Sequence, residues 1–218
     1  MKILAQQNPD TEFAHNTHKY TPFPLTTLSG PALTFISGVF DTDADQTLYL
    51  YIDIKTAPDL TYTSLLNHLT PLIPYLSYYN ATSSTFHSGA ITVIVTGNAP
   101  FNLIASSASS LRYAFYDAPI DKLLSSPNDT KYNRTNSLMS SGAFSELIGT
   151  VFADVTEVQR NKIRELAEAA HNRGIGIRFW DTPGWPVGRR NKVWRALVEE
   201  GVDLLNADDL SDASSAHW

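Results

Sequence analysis

Residues 156–205 read TEVQRNKIRELAEAAHNRGIGIRFWDTPGWPVGRRNKVWRALVEEGVDLL, and their alternating texture decides the fold class. Val158, Ile163, Leu166 and Ala170 recur at helical spacing, Thr156 stands where an N-cap belongs, and Arg173-Gly174 closes the helix. Residues 175–180 (IGIRFW) then form a strand, 189–200 a second helix stopped by Gly201, and 202–205 (VDLL) another strand. Strands without polar alternation, separated by amphipathic helices, imply a parallel sheet with helices outside it. Its crossovers are right-handed.

The same texture extends toward the N-terminus. Residues 47–54 (TLYLYIDI) and 91–96 (ITVIVT) are buried strands, and 113–116 (YAFY) runs as a third into Asp117 and Pro119. Between the first two lies a helix over 61–76, with Leu65, Leu66, Leu69, Leu72 and Ile73 on one face and Pro71 kinking or interrupting it. Residues 137–141 are polar and ambiguous. Residues 8–46 are irregular, broken by Pro9, Pro22, Pro24, Gly30 and Pro31, with one short strand at 33–36. The division expected is an irregular N-terminal segment (1–46), a partial (β/α)-barrel domain (47–210) and a frayed tail (211–218). Five or six strands are countable where a TIM-type barrel needs eight.

Composition narrows the function. The chain has 218 residues, 43% of them hydrophobic and 11% aromatic, enough for one domain with a sizeable core. Twenty-two acidic against 16 basic residues give a net charge of −6, which argues against binding a nucleic-acid backbone. The absence of cysteine excludes disulfides, thiolate catalysis and Cys-ligated zinc. No apolar run approaches the roughly 18 residues of a transmembrane helix, and the start (MKILAQQNP) is no signal peptide. It reads as the end of a helix. Localisation stays undetermined, and the sequons at Asn80, Asn128 and Asn133 are no more than chance supplies in so Ser/Thr-rich a chain.

Polar residues gather at the C-terminal ends of the expected strands, where barrel enzymes place their chemistry. They are Asp53 and Lys55, Asn98, Asp117, Trp180 and Asp181, and Asn206 with Asp208. Asp53 and Lys55 are two apart on a strand and so face one site. A carboxylate for a hard cation beside an ammonium for phosphoryl oxygens suits a metal-bound phosphate. The competing reading is an internal ion pair. In RFWDTPGWP, Trp180 reads as a pocket wall and Asp181 as the group orienting a neighbour or a substrate hydroxyl, with Arg178 in the same cluster and Trp185 in the core. Asn206 can donate across the rim, and Asp208 or Asp209 caps a following turn. None of the six histidines ends a convincing strand; His15 and His18 sit together only in an irregular segment.

The pieces GVFDTD, IDIKT, ITVIVTGNAPF and FYDAP, with the block HNRGIGIRFWDTPGWPVGRRNKVWRALVEEGVDLLNADDL, resemble the fungal altered inheritance of mitochondria protein 6 family. That family is a branch of the phospholipase C-like phosphodiesterase superfamily, and the resemblance runs from Gly38 to Leu210, leaving out 20–37. It implies an α/β fold of TIM-barrel type, here incomplete, with about the last five of eight βα units present and the chain truncated at its N-terminus. It also implies phosphodiester cleavage in lipid metabolism with one divalent metal, Mg2+ or Ca2+, and two histidines. Carried over, Asp53 is a metal ligand, Lys55 a phosphate contact and Asp181 a catalytic neighbour of the pocket residue Trp180, with Asn206 and Asn98 contacting substrate. The histidines and the first carboxylate pair have no counterpart in this chain. An incomplete barrel would expose two sheet edges and favour aggregation.

The expectation is therefore a phosphoric diester hydrolase-like protein binding a small phosphodiester or a phospholipid head group, without its catalytic histidines. The alternative is a catalytically inactive product or binding module. A glycoside hydrolase ranks below both, because Lys55 beside Asp53 fits phosphate better than sugar.

Overall fold

The computed structural model describes residues 38–40, 43, 45–106, 110–126 and 128–215. Its first strand, β1 (Leu48–Ile54), is followed by α1 (Pro58–Leu69), which Pro58 opens from the first turn, where a missing N–H costs nothing. The chain continues past Leu69 as a 3-10 turn, Thr70–Tyr75, that takes in Pro71 and Pro74. The helix expected over 61–76 is thus interrupted at Pro71, its second part being 3-10. Two short strands follow, β2 (Tyr78–Asn80) and β3 (Thr85–His87), then β4 (Ile91–Gly97), α2 (Phe101–Ala105), β5 (Leu111–Arg112) and β6 (Ala114–Pro119). After α3 (Ile120–Ser125) come β7 (Met139–Ala143), α4 (Phe144–Leu147) and α5 (Glu157–His171). The chain closes with β8 (Gly176–Trp180), α6 (Val187–Glu199), β9 (Leu204–Leu205) and α7 (Leu210–Ser215).

Six strands pair in parallel in the order β1-β4-β6-β7-β8-β9, which is also their order along the chain. The winding never reverses, so there is no switch point of the kind that divides doubly wound sheets. The sheet curls into a half-barrel. It has six parallel strands where about five βα units are expected, the sixth being β7 in the stretch that reads as ambiguous. Eight units are not seen among the described residues, where β1 and β9 are each paired on one side only.

Two apolar layers cover the outer face. Ile54, Val93, Val95 and Ala114 pack under Tyr62, Leu69 and Ile104. Ile177, Phe179, Ala118 and Leu205 pack under Ile163, Leu166, Val193 and Trp194 of α5 and α6. The inner face carries its own cluster of Tyr51, Ile94, Phe115, Met139 and Leu204. Tyr51, Ile94 and Phe115 lie side by side in register across three strands. A small antiparallel sheet, β3-β2-β5, closes the N-terminal end of this face, with Phe86 edge-on to Phe115 at 5.9 Å between ring centres.

Helix α5 starts with a capping box: Thr156 and Gln159 each accept from the other's backbone N–H. Residues 211–215, expected to be frayed, belong to α7, because Asp209 accepts from the Asp212 N–H and Arg190 donates to both Asp209 and Asp212. Trp185 is not in the core: it is 73% exposed in the loop before α6. The strand expected at 33–36 and the histidines at 15 and 18 lie outside the described residues.

Two substitutions test this layering by urea unfolding. Phe179→Ala, which empties a fully buried ring from the outer core, is expected to cost about 3–5 kcal/mol. Thr156→Ala, which removes only the cap, is expected to cost about 1 kcal/mol.

Candidate functional site

Side chains alternate between the two faces of a strand, so the residues sharing parity with the inner cluster can be read off directly. At the C-terminal half of the sheet they are Asp53 on β1, Thr96 on β4, Asp117 on β6, Ser141 on β7, and Arg178 and Trp180 on β8. Asn206 follows two residues after the inner Leu204.

Four of these residues form one connected network. Arg178 Nη2 donates to Asn206 Oδ1 at 2.8 Å, and Nη1 donates to Ser141 Oγ at 3.2 Å. Ser141 Oγ in turn donates to Asp117 Oδ1 at 2.8 Å. The guanidinium also lies over the Tyr51 ring, 4.7 Å from its centre. Burial pushes the Asp117 carboxyl up to about 6, against the pull of Arg178 and of the Ser141 and Thr96 hydroxyls, with Asp53 adding a smaller upward push. Burial likewise raises the Tyr51 hydroxyl, with the charge of Asp117 adding to the effect.

Asp53 and Lys55 meet as an ion pair, 2.7 Å between Oδ2 and Nζ, but it is an outer one: their side chains are 46% and 77% exposed. An exposed pair of this kind contributes about 0–1 kcal/mol. The Asp53 carboxylate lies against the backbone of β4. A Cβ on Gly97 would stand 2.2 Å from Asp53 Oδ1 and 2.6 Å from the Ile54 carbonyl oxygen, so this position needs glycine, as its φ of +71° also does.

Trp180 ends β8 and is 44% exposed. Asp181 follows in the left-handed region at φ 57°, and its Oδ2 accepts from Ser145 Oγ. Asn98 directly follows β4, beside the end of β1. Its N–H donates to the Ile54 carbonyl at 2.8 Å, and it lines a separate cleft of about 620 Å³ with Asp59, Phe101 and Lys131. A second hollow of about 460 Å³, with Tyr49, Phe86, Arg134 and Asp203 in its wall, opens at the N-terminal end of the sheet, away from the rim.

Among the described residues no three His, Asp or Glu side chains stand together as a metal-holding group. The described histidines are engaged away from the rim: His68 with the Ser64 carbonyl, His87 with Thr85 and the Tyr78 ring, His171 with Asp203 at 2.8 Å. Around the rim, Arg189 ties two loops together by donating to the Val151 and Trp185 carbonyls, which sets the exposed Phe152 and Trp185 on neighbouring segments.

Of the residues named from sequence, the structure joins Asn206 to Arg178 and pairs Asp53 with Lys55. It seats Asp181 on Ser145 and leaves Asn98 in its own cleft. Ser141, Thr96 and Tyr51 carry no signal in the sequence reading, and Arg178 and Asp117 appear there only as members of the strand-end clusters. Parity counted from Asp53 and from Trp180 would have found Tyr51 and Arg178.

The Asp117 shift has a definite sign. The folded state holds this proton more tightly than the unfolded chain, so its contribution to stability is fully present below about pH 4 and is lost as pH rises through about 6. Two pKa units correspond to about 3 kcal/mol at most. Denaturant titrations of the wild type and Asp117→Asn from pH 4 to 7 are expected to diverge by up to that amount, the wild type losing stability relative to the variant as pH rises. Parallel curves would contradict the burial of an ionising group at Asp117.

Comparison with known proteins places these residues in a fungal group. A family model described as an AIM6-like phosphodiesterase domain matches residues 1–117. Its match takes in residues 20–37, which the motif resemblance leaves out. A protein of Arthroderma benhamiae named altered inheritance of mitochondria protein 6 homolog is 36% identical over 98% of this chain and 62% of its own length. Proteins named altered inheritance of mitochondria protein 6 are similar too. That of Eremothecium gossypii is 34% identical over 81% of this chain, and that of Saccharomyces cerevisiae 32% over 82%. The alignments span 48% and 50% of those two relatives, so the chain corresponds to about half to three-fifths of the proteins it matches. No solved structure matches.

Proposed function

The chain belongs to the AIM6-like phosphodiesterase family, and on that premise we propose that it is part of a phosphoric diester hydrolase of the phospholipase C-like kind. Its substrate class is a small phosphodiester or a phospholipid head group, held at the C-terminal rim of a sheet that would belong to an eight-unit barrel. The observation carrying this reading is the Asp53–Lys55 pair at the end of β1, inside the span that the phosphodiesterase family model matches. Lys55 is free to swing from Asp53 to a phosphoryl oxygen, since the exposed pair is weak. Asp53 is then one oxygen ligand for Mg2+ or Ca2+, a cation that would act as a Lewis acid on the phosphoryl group.

Supporting roles follow from position. Trp180 forms a wall of the site, and Asp181, fixed in its turn by Ser145, orients a substrate hydroxyl or a neighbouring group. Asn206 holds the rim from the last strand. Proton transfer in this reading belongs to histidines, none of which ends a strand of the six-stranded sheet among the described residues, and such transfer contributes about 10²–10⁴-fold per group. The second reading, a binding module without turnover, has the same rim geometry and differs only in that respect.

Hydrolysis of glycerophosphocholine separates them, measured with the protein at the length found in its source cells and with Mg2+ or Ca2+ added. The expected result is metal-dependent release of glycerol phosphate or choline, lost in Asp53→Asn. Unchanged turnover in Asp53→Asn would falsify the ligand assignment. A folded protein with no turnover in either cation would favour the binding module.

A further inference from the structure

Arg178 differs from the other arginines that reach carboxylates in this protein. Arg160, Arg164 and Arg190 each sit on a carboxylate oxygen. The contacts of Arg178 are instead a serine hydroxyl, an asparagine amide oxygen and the face of a tyrosine. Among the described residues no ion pair joins it to a carboxylate; Asp117 is reached only through Ser141. Its charge also acts on Asp117 without touching it, so the guanidinium has no anion bonded to it directly, and an anion at the rim would supply that contact.

The geometry also leaves donors to spare. Each Nη carries two hydrogens, and one on each is used, by Ser141 and by Asn206. The remaining two belong to a fork held by the Tyr51 ring below and by two strands at its sides. The Nε atom is enclosed and without a partner, so the Nη side is the one the guanidinium uses for its contacts. A planar guanidinium with one unused hydrogen on each Nη has the donors to serve two oxygens of one tetrahedral anion.

We propose that Arg178 is the principal anion-reading residue of the rim, taking two non-bridging oxygens of a phosphate ester bidentately, with Ser141 and Asn206 as positioning residues. The exposed Lys55 then contributes attraction and not orientation. This rests on the phosphodiester reading of the same rim, from which it can be separated by experiment.

The test is calorimetric titration of the chain with dimethyl phosphate and, separately, inorganic phosphate, the first standing for a diester and the second for the free ion. The expected result is binding of at least one anion, weakened about 10- to 100-fold in Arg178→Ala and by a smaller factor in Lys55→Ala. Circular dichroism checks the fold. If Arg178→Ala fails to fold, Arg178→Lys decides: it keeps the charge but loses the fork, and weakened binding is expected. Asn206→Ala is expected to weaken binding less than either Arg178 variant. No binding of either anion to the wild type, or equal binding in the wild type and Arg178→Lys, overturns the proposal. Binding that depends on Arg178, with no diester turnover by the protein at its source-cell length, keeps the anion site and sinks the hydrolase reading. Turnover in Arg178→Ala with an unchanged KM does the reverse.

Discussion

Parallel strands wound in chain order leave each residue only two choices, the helix-covered face or the hollow. Because consecutive strands are neighbours and the winding never reverses, every strand presents the same parity to the same interior. The inner line at the rim, Asp53, Thr96, Asp117, Ser141, Arg178 and Trp180, is a consequence of that one constraint. A one-residue slip in any strand would carry its rim residue into the apolar layer under the helices. The apolar outer layers therefore fix the position of the polar site as well as stabilising the fold.

Within the rim, burial decides which charges matter. Asp53 and Lys55 are close but wet, and their mutual attraction is small. Asp117 is enclosed, and burial outweighs every favourable partner it has. Arg178 stands between these cases, held by neutral contacts on β8, next to the last strand of the line. The result is a site with a mobile cation at its edge and a fixed one within. This suits capture followed by orientation, two steps that a tetrahedral anion requires of its receptor.

Much of the architecture was legible in the sequence because long apolar strands and a well-capped amphipathic helix are local signals. The strands at 47–54, 91–96 and 175–180 and the helix beginning at Thr156 all depend on them. What escaped is set by tertiary contact. Strand β7 (MSSGA) carries no apolar signature, since its small residues fit between neighbours already in place: a Cβ on Gly142 would meet Leu147 and Ile120 at 2.4 and 2.6 Å. The strands of the small sheet are two or three residues long and owe their pairing to the entry loops of β4 and β6. Trp185 reads as core from its bulk and is exposed, because the loop is held by its backbone through Arg189. At the site, Asp53 and Lys55 were legible from spacing, whereas the Ser141 bridge needed the register of β7 against β8.

The central claim is that the rim, and Arg178 within it, is where a phosphate ester binds. A crystal structure of the chain soaked with dimethyl phosphate tests it most directly. The account predicts density for the anion at the C-terminal end of the sheet, with two of its oxygens within hydrogen-bond distance of the Arg178 Nη atoms. Density confined to the hollow at Arg134 at the opposite end, or an unoccupied rim at saturating concentration, would contradict it.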